Sequence, residues 1–501
     1  MPKAKQFVRP PKKQKAKPAA PETPDDFQEA ADREEEAGGK HRVGDSVKSA
    51  RAFLRALDLY DQGLKHHPTN FDLAYNKARL LLEITQQPPL VEHVGLPLVD
   101  LLQQTLEAHR YALKLNEEVP DVLFNTSQVL TTLAELLSES SQEDQAISFL
   151  QESLELLSAC LSRQEMLLEQ QQMDFDDAED DGGGVQLDPD EKPASTTDSS
   201  PSEQSAYIET LLTPSDLLDT VHASLSALTT MISLVEPSVL QTFGDMAHTL
   251  TDKKAGSYIS LLPADAQDPA TFTLALDRAI FIAAFADAQF NAAMIELETY
   301  LARLEAFSSL PATAKAQSAH ALSSEASART ELVLSVLDRD ETEIAPAAET
   351  CWKQLTLCQD LYTTATKLPP NSESKAALYV AKGNTDLLRY RIATLHLPSS
   401  STLPASATRS AQTLLANAQT YYKGSSQLAR ADGDVEAEVK AQQRWLIAAE
   451  IAGVMYGVEV REVPFDAGKA RGTLTEAVGV CVEEGWVGSE VGEMVVRRLG
   501  R

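Results

Sequence analysis

One spacing occurs at two distant places in this 501-residue chain. Ala56, Tyr60, Gly63 and Pro68 form one copy; Cys358, Tyr362, Ala365 and Pro370 form the other. Each copy reads small residue, aromatic, small residue, proline, with steps of four and three that keep side chains on one helix face. Proline then stops the helix. A stripe of small residues beside one ring lets a neighbouring helix approach closely, so the pattern predicts packed helices that present a surface rather than a reaction chamber.

Composition agrees. Aromatics make up only 6% of the chain, while Ala, Leu, Glu, Gln and Ser fill whole segments, as expected of helices packed through small residues. The net charge is −30, yet residues 1–20 hold seven Lys/Arg and no acid, so removing those cations leaves −37 on the remainder. A body this acidic repels phosphate backbones and attracts basic proteins, which disfavours direct nucleic-acid binding by the body.

The four cysteines include one pair, Cys351 and Cys358, on the same helical face. They stand about 10 Å apart along the axis, too far for a disulfide. Reduced, buried thiols are expected, as in an intracellular compartment. Ala279 to Ala286, the most apolar uncharged stretch, is short for a membrane span and is followed by Asp287, so a soluble protein with no membrane partner is expected.

Four regions follow from the patterning. Residues 1–42 are basic and then acidic, rich in Pro, Lys and Glu without apolar periodicity, and read as a disordered tail. Residues 43–172 carry helical repeats: Val47 to Leu64, Phe71 to Ile84, a linker with Pro88, Pro89 and Pro97, then Leu101 to Leu115, Pro120 to Leu137 and Gln142 to Gln171. Residues 173–205 hold eight acids between Asp174 and Asp190, three consecutive glycines and a Ser/Thr/Pro run, and read as a disordered acidic insertion. Helical periodicity resumes over 206–501, where Phe272 to Phe307 is the most apolar segment and reads as a central buried helix pair or one long helix.

The stripe resembles the second helix of the tetratricopeptide repeat. Ala56, Tyr60, Gly63, Leu64 and Pro68 match that helix, and Tyr75, Asn76 and Ala78 the first helix that follows. Thr105, His109, Ala112 and Leu115, then Phe124 and Asn125, repeat the match more weakly. Cys358, Tyr362, Ala365, Leu368 and Pro370 repeat it again, with Gly383 about three residues late. The large first-helix residue and the glycine of the pattern are mostly absent, and the spacing is uneven. The resemblance implies an all-α, right-handed superhelix of antiparallel helix pairs, a degenerate solenoid.

In that family the first helices line the concave face, which implies Asn76 and Asn125 as contacts for an extended peptide. Members that clamp a terminal carboxylate use Lys or Arg on a third first helix, and Leu217 to Val235 has neither. Lys12, Lys13, Lys15 and Lys17 fit a short nuclear import signal. Asp174, Asp176, Asp177, Glu179, Asp180 and Asp181 are candidate contacts for a basic client. Part of the same run echoes a calcium loop, but Gly184 replaces the apolar residue and Asp188 the bidentate glutamate, so no metal site is expected. Isolated Trp352, Trp445 and Trp486 read as packing residues.

No phosphate-binding loop, dinucleotide fingerprint, zinc-protease motif or nucleophile elbow is present in the sequence. The expectation is a non-enzymatic scaffold without cofactors, acting in nucleus and cytoplasm as an escort for a basic client such as a ribosomal protein or a histone. An adaptor subunit without a basic client stands second, and an enzyme-regulating subunit using Phe272 to Phe307 as a pocket third.

Overall fold

The computed structural model describes residues 20–42, 44–138, 142–180, 211–339, 341–369, 374–395, 403–458, 463 and 468–500. The described residues form helices and turns, with no β-strand among them. They divide into two compact units, Met1–Glu117 and Glu118–Arg501.

The first unit holds α1 (Pro24–His41), α2 (Ser46–His66), α3 (Phe71–Thr85), α4 (Pro88–Val94) and α5 (Leu98–Leu115). Here the expected disordered tail is corrected, because residues 24–41 are a helix. Thr23 caps it by accepting from Asp26 N at 3.2 Å, while Asp26 accepts from Thr23 N at 2.9 Å and Pro24 opens the first turn. Phe27 and Ala31 bury against α2.

The acids that looked solvated on α1 have distant partners. Glu34 pairs with Arg55 at 2.6 Å and Glu35 with Arg79 at 2.5 Å. Tyr60 Oη donates to Glu35 at 2.7 Å. His66 stacks on Phe27, and the His67 ring meets the Glu22 carbonyl at 2.9 Å. The segment expected to be only a proline-rich linker contains α4, whose Leu90 is buried.

The second unit begins with α6 (Pro120–Ser138), α7 (Glu143–Asp180), α8 (Pro214–Ile232) and α9 (Leu240–His248). A π-helical turn, Thr249–Ala255, leads to α10 (Gly256–Ser260). Then come α11 (Ala264–Asn291), α12 (Leu297–Leu304), α13 (Ala312–Gln317), α14 (Ala319–Leu337) and α15 (Glu341–Ala365). The unit closes with α16 (Lys375–Thr394), α17 (Ala405–Asp432), α18 (Val435–Tyr456), α19 (Gly468–Gly472), α20 (Leu474–Glu483) and α21 (Ser489–Leu499).

Its long helices pack neighbour to neighbour in chain order: α6 on α7, α7 on α8, α8 on α11, α11 on α14, and onward from α14 to α18, with α20 and α21 against α18. This is the arrangement of an all-α helical solenoid.

The acidic insertion does not separate domains: α7 runs on to Asp180, and its Leu150, Leu154, Leu157 and Leu161 share one core with Leu217, Val221, Leu225 and Leu228 of α8. The division falls instead after Glu117, so α5 groups with α3 and α6 with α7. Composition marks where the chain leaves the fold; the apolar faces decide which helices share a core.

The doubled stripe is buried at both places. Ala56, Tyr60 and Gly63 face α1, and Cys358, Tyr362 and Ala365 face α14. A Cβ on Gly63 would stand 2.9 Å from Leu73 Cδ1 and 3.1 Å from Phe27 Cβ, and one on Gly383 would enter the Tyr422 ring. Pro370 lies outside the described residues. All four cysteines are buried and free of disulfides.

Phe272 to Phe307 forms a helix pair, α11 and α12, joined by a turn in which Ala293 has φ 54°. Among the described helices α11 is long and apolar enough by composition to cross a membrane. Its Leu276, Ala279, Ala283, Ala286 and Phe290 are buried in a core with Tyr300, Leu332 and Val333.

A candidate acidic groove in the second unit

Three helices of the second unit carry polar stripes at helical spacing beside their buried apolar faces. On α8 the stripe is Asp219, His222, Ser226 and Thr229; on α11 it is Asp277, Ile280, Ala284, Asp287 and Asn291; on α14 it is His320, Ser324, Ser327, Glu331 and Ser335. Because α11 packs against both α8 and α14, the three stripes lie side by side.

They line three joined hollows. A central cleft of about 790 Å³ includes Ile280, Ala284, Asp287, Tyr300, Ser327, Glu331, Tyr362 and Leu378. A hollow of about 590 Å³ shares Ile280, His320 and Ser324 with it and adds Phe124, Gln128, Asp219, His222 and Asp277. A third, about 770 Å³, shares Asp287, Asn291 and Glu331 and adds Asp338, Glu343, Glu483 and Glu484.

The charge in this groove is largely uncompensated. No Lys or Arg lines the first two hollows. The third has Arg339 and Arg391, and both are engaged. Arg339 pairs with Glu343 at 2.9 Å, donates to the Phe290 carbonyl at 2.7 Å and lies over the Phe290 ring. Arg391 donates to the carbonyls of Gly485 at 2.5 Å and Leu337 at 3.1 Å.

Two of the acids are held by their neighbours. His222 on α8 hydrogen-bonds Asp277 on α11. Asp287 Oδ1 accepts from Tyr300 Oη at 3.0 Å and Ser335 Oγ at 2.6 Å, and its Oδ2 accepts from Asn291 at 3.0 Å. These three donors are neutral, so they orient the carboxylate without cancelling its charge. Glu331 is exposed on the cleft wall. Burial, then the charges of Asp287 and Glu484, push its carboxyl up to about 7.

Beneath the groove a buried ion network fixes α14. Arg329 meets Glu325 at 2.7 Å and donates to Gln354 on α15 at 2.7 Å, and Lys315 reaches Glu325 at 2.6 Å. Arg329 and Glu325 are each under 5% exposed.

Asn76 is half-buried on α3 of the first unit, and Asn125 is half-buried on α6 of the second. Neither lines the groove, although Phe124 beside Asn125 does. Lys12, Lys13, Lys15, Lys17 and Asp181 lie outside the described residues. Asp174, Asp176, Asp177, Glu179 and Asp180 sit on the last turns of α7.

The groove acids were visible in sequence only as single charges interrupting apolar helices. Asp287 was read as the residue that ends an apolar stretch. Its spacing of three and four from Ala284 and Asn291 was the available signal.

No protein-family model matches the chain. It is 35% identical over 154 residues to UPF0656 protein C926.02 of Schizosaccharomyces pombe (strain 972 / ATCC 24843). The match covers 31% of this chain and 34% of that protein, so the chain spans about a third of the relative's length. A solved circular tandem repeat protein "with novel repeat topology and enhanced subunit contact surfaces" aligns with 95% of this chain and 98% of its own at 11% identity. The TM-score is 0.26, too low to transfer any feature.

Proposed function

We propose that the chain is a non-enzymatic, tetratricopeptide-like scaffold that escorts a strongly basic client, such as a ribosomal protein or a histone, during assembly or nuclear transfer. The observation that carries this reading is the groove of the second unit. Carboxylates from α8, α11 and α14 converge there, two of its three hollows contain no Lys or Arg, and the arginines of the third are already bonded.

A basic segment entering the groove supplies the missing cations, and its apolar residues meet Ile280, Ala284, Ala288 and Leu378. Charge of this kind speeds encounter and rejects acidic partners, while the apolar contacts supply residence time. The basic run at Lys12 to Lys17 is the proposed import signal that carries the complex into the nucleus.

The test is binding by the purified full chain to a panel of basic and acidic proteins at low salt. Saturable binding of some basic proteins and none of the acidic ones supports the reading. Failure to bind any basic protein, or equal unsaturable binding of all of them, overturns it. Pulldown from lysate after deletion of residues 173–205 then measures what the insertion adds.

A further inference from the structure

The central cleft is more specific than a field of negative charge. We propose that the space bounded by Asp287, Glu331 and the apolar wall beside them is a pocket for one long basic side chain, lysine or arginine, of a bound segment. This site rests on the client-escort reading and adds to it a defined anchor.

The chemistry of the lining supports that occupant. Ile280, Ala284, Ala328 and Leu378 supply an apolar surface for a methylene stem. In the same cleft Glu331 has no hydrogen-bond or ion-pair partner among the described residues, whereas Asp287 is fixed by Tyr300, Ser335 and Asn291. One acid is therefore held in place and the other is free to close on a cation.

Alternative occupants fit less well. An anion would meet two carboxylates without a cation in the lining. A wholly apolar side chain would leave both carboxylates desolvated beneath it. A cation with an aliphatic stem satisfies both parts of the wall.

The titratable and charged groups that line the cleft with Glu331 are Asp287 on α11, Tyr300 on α12, His320 about three turns away on its own helix and Tyr362 on α15. Toward the adjoining hollow they are Asp338, Arg339, Glu343, Arg391, Glu483 and Glu484. Arg339 is paired with Glu343, and Arg391, bonded to neutral carbonyls, keeps its charge; burial and the acids Asp287 and Glu484 are what act on Glu331. Entry of a cation relieves the repulsion between Glu331 and Asp287 and releases any proton Glu331 holds.

The experiment measures fluorescence anisotropy of the full chain with three labelled peptides, repeats of Gly-Lys-Val-Gly, of its arginine counterpart and of its norleucine counterpart. The lysine or arginine peptide should bind more tightly than the norleucine peptide. Glu331→Gln should weaken the basic peptide about tenfold and leave the norleucine peptide unchanged. Asp287→Asn, which keeps the side-chain shape, should act in the same direction.

Basic-peptide affinity of the wild type should rise between about pH 6 and 8, and Glu331→Gln should flatten that rise. Thermal unfolding of both variants checks that they fold. If the wild type binds no basic peptide, the escort reading fails. If it binds them and neither substitution matters, the pocket alone is refuted. The lysine and arginine arms decide which side chain it prefers.

Discussion

Asp287 on α11 accepts the Ser335 hydroxyl of α14 at 2.6 Å, so a charge on the groove floor is also a tie between two helices that build the groove. The same oxygen accepts from Tyr300 Oη, adding α12 to the junction. Replacing Asp287 with Ala leaves the Tyr300 hydroxyl, on a residue with 0% exposure, without that acceptor. The expected loss is about 1–3 kcal/mol of stability in urea unfolding, and Asp287→Asn should lose much less.

Glu331 gives a pH signature. Its carboxyl ionises near 4.5 in the unfolded chain and near 7 in the folded one. Between those values the unfolded state has lost a proton that the folded state retains, so stability falls as pH rises through this window. Glu331→Gln should therefore unfold like the wild type near pH 4 and be more stable above pH 7. The gain should be roughly 1 kcal/mol or less, because the side chain reaches solvent through the cleft. Urea midpoints at the two pH values measure it.

His109 gives the opposite dependence in the first unit. It has 0% exposure on α5, and burial pushes its imidazole down to about 4 from an ordinary value of 6.5. Below 6.5 the unfolded chain takes up a proton that the folded chain refuses, so stability is lost as pH falls toward 4. The full loss is of order 3 kcal/mol. His109→Leu should remove this acid sensitivity, read as the pH dependence of hydrogen exchange in α3 and α5.

Ala293 adopts φ 54° in the turn after α11, where Met294 N bonds the Gln289 carbonyl at 2.8 Å. That six-to-one bond and left-handed residue form a helix C-cap that favours glycine. Ala293→Gly should raise stability by about 0.5–1 kcal/mol, because the strained backbone is relieved at an exposed position. Thermal unfolding checks it.

The helical class was legible from the spacing at Tyr60 and Tyr362, because a stripe of small residues beside a ring has few uses other than close helix contact. The helix that meets the first stripe was not legible. Residues 24–41 contain few apolar side chains, and their acids find Arg55 and Arg79 only once the chain has folded back.

The groove was hidden for a related reason. Asp219, Asp277, Asp287 and Glu331 belong to three helices far apart in the chain, and each looks like an isolated surface charge. Only the packing of α11 between α8 and α14 makes them one feature. The asparagines suggested by the repeat pattern lie in different units, Asn76 in the first and Asn125 in the second.

The most direct test of the account is calorimetric titration of one basic protein selected from the binding panel into the full chain and into a variant carrying Asp219→Asn, Asp277→Asn, Asp287→Asn and Glu331→Gln. Saturable, salt-sensitive binding by the wild type and its loss in the variant, with unchanged helical content, is the predicted result. Undiminished binding by the variant would contradict the assignment of the client to this groove.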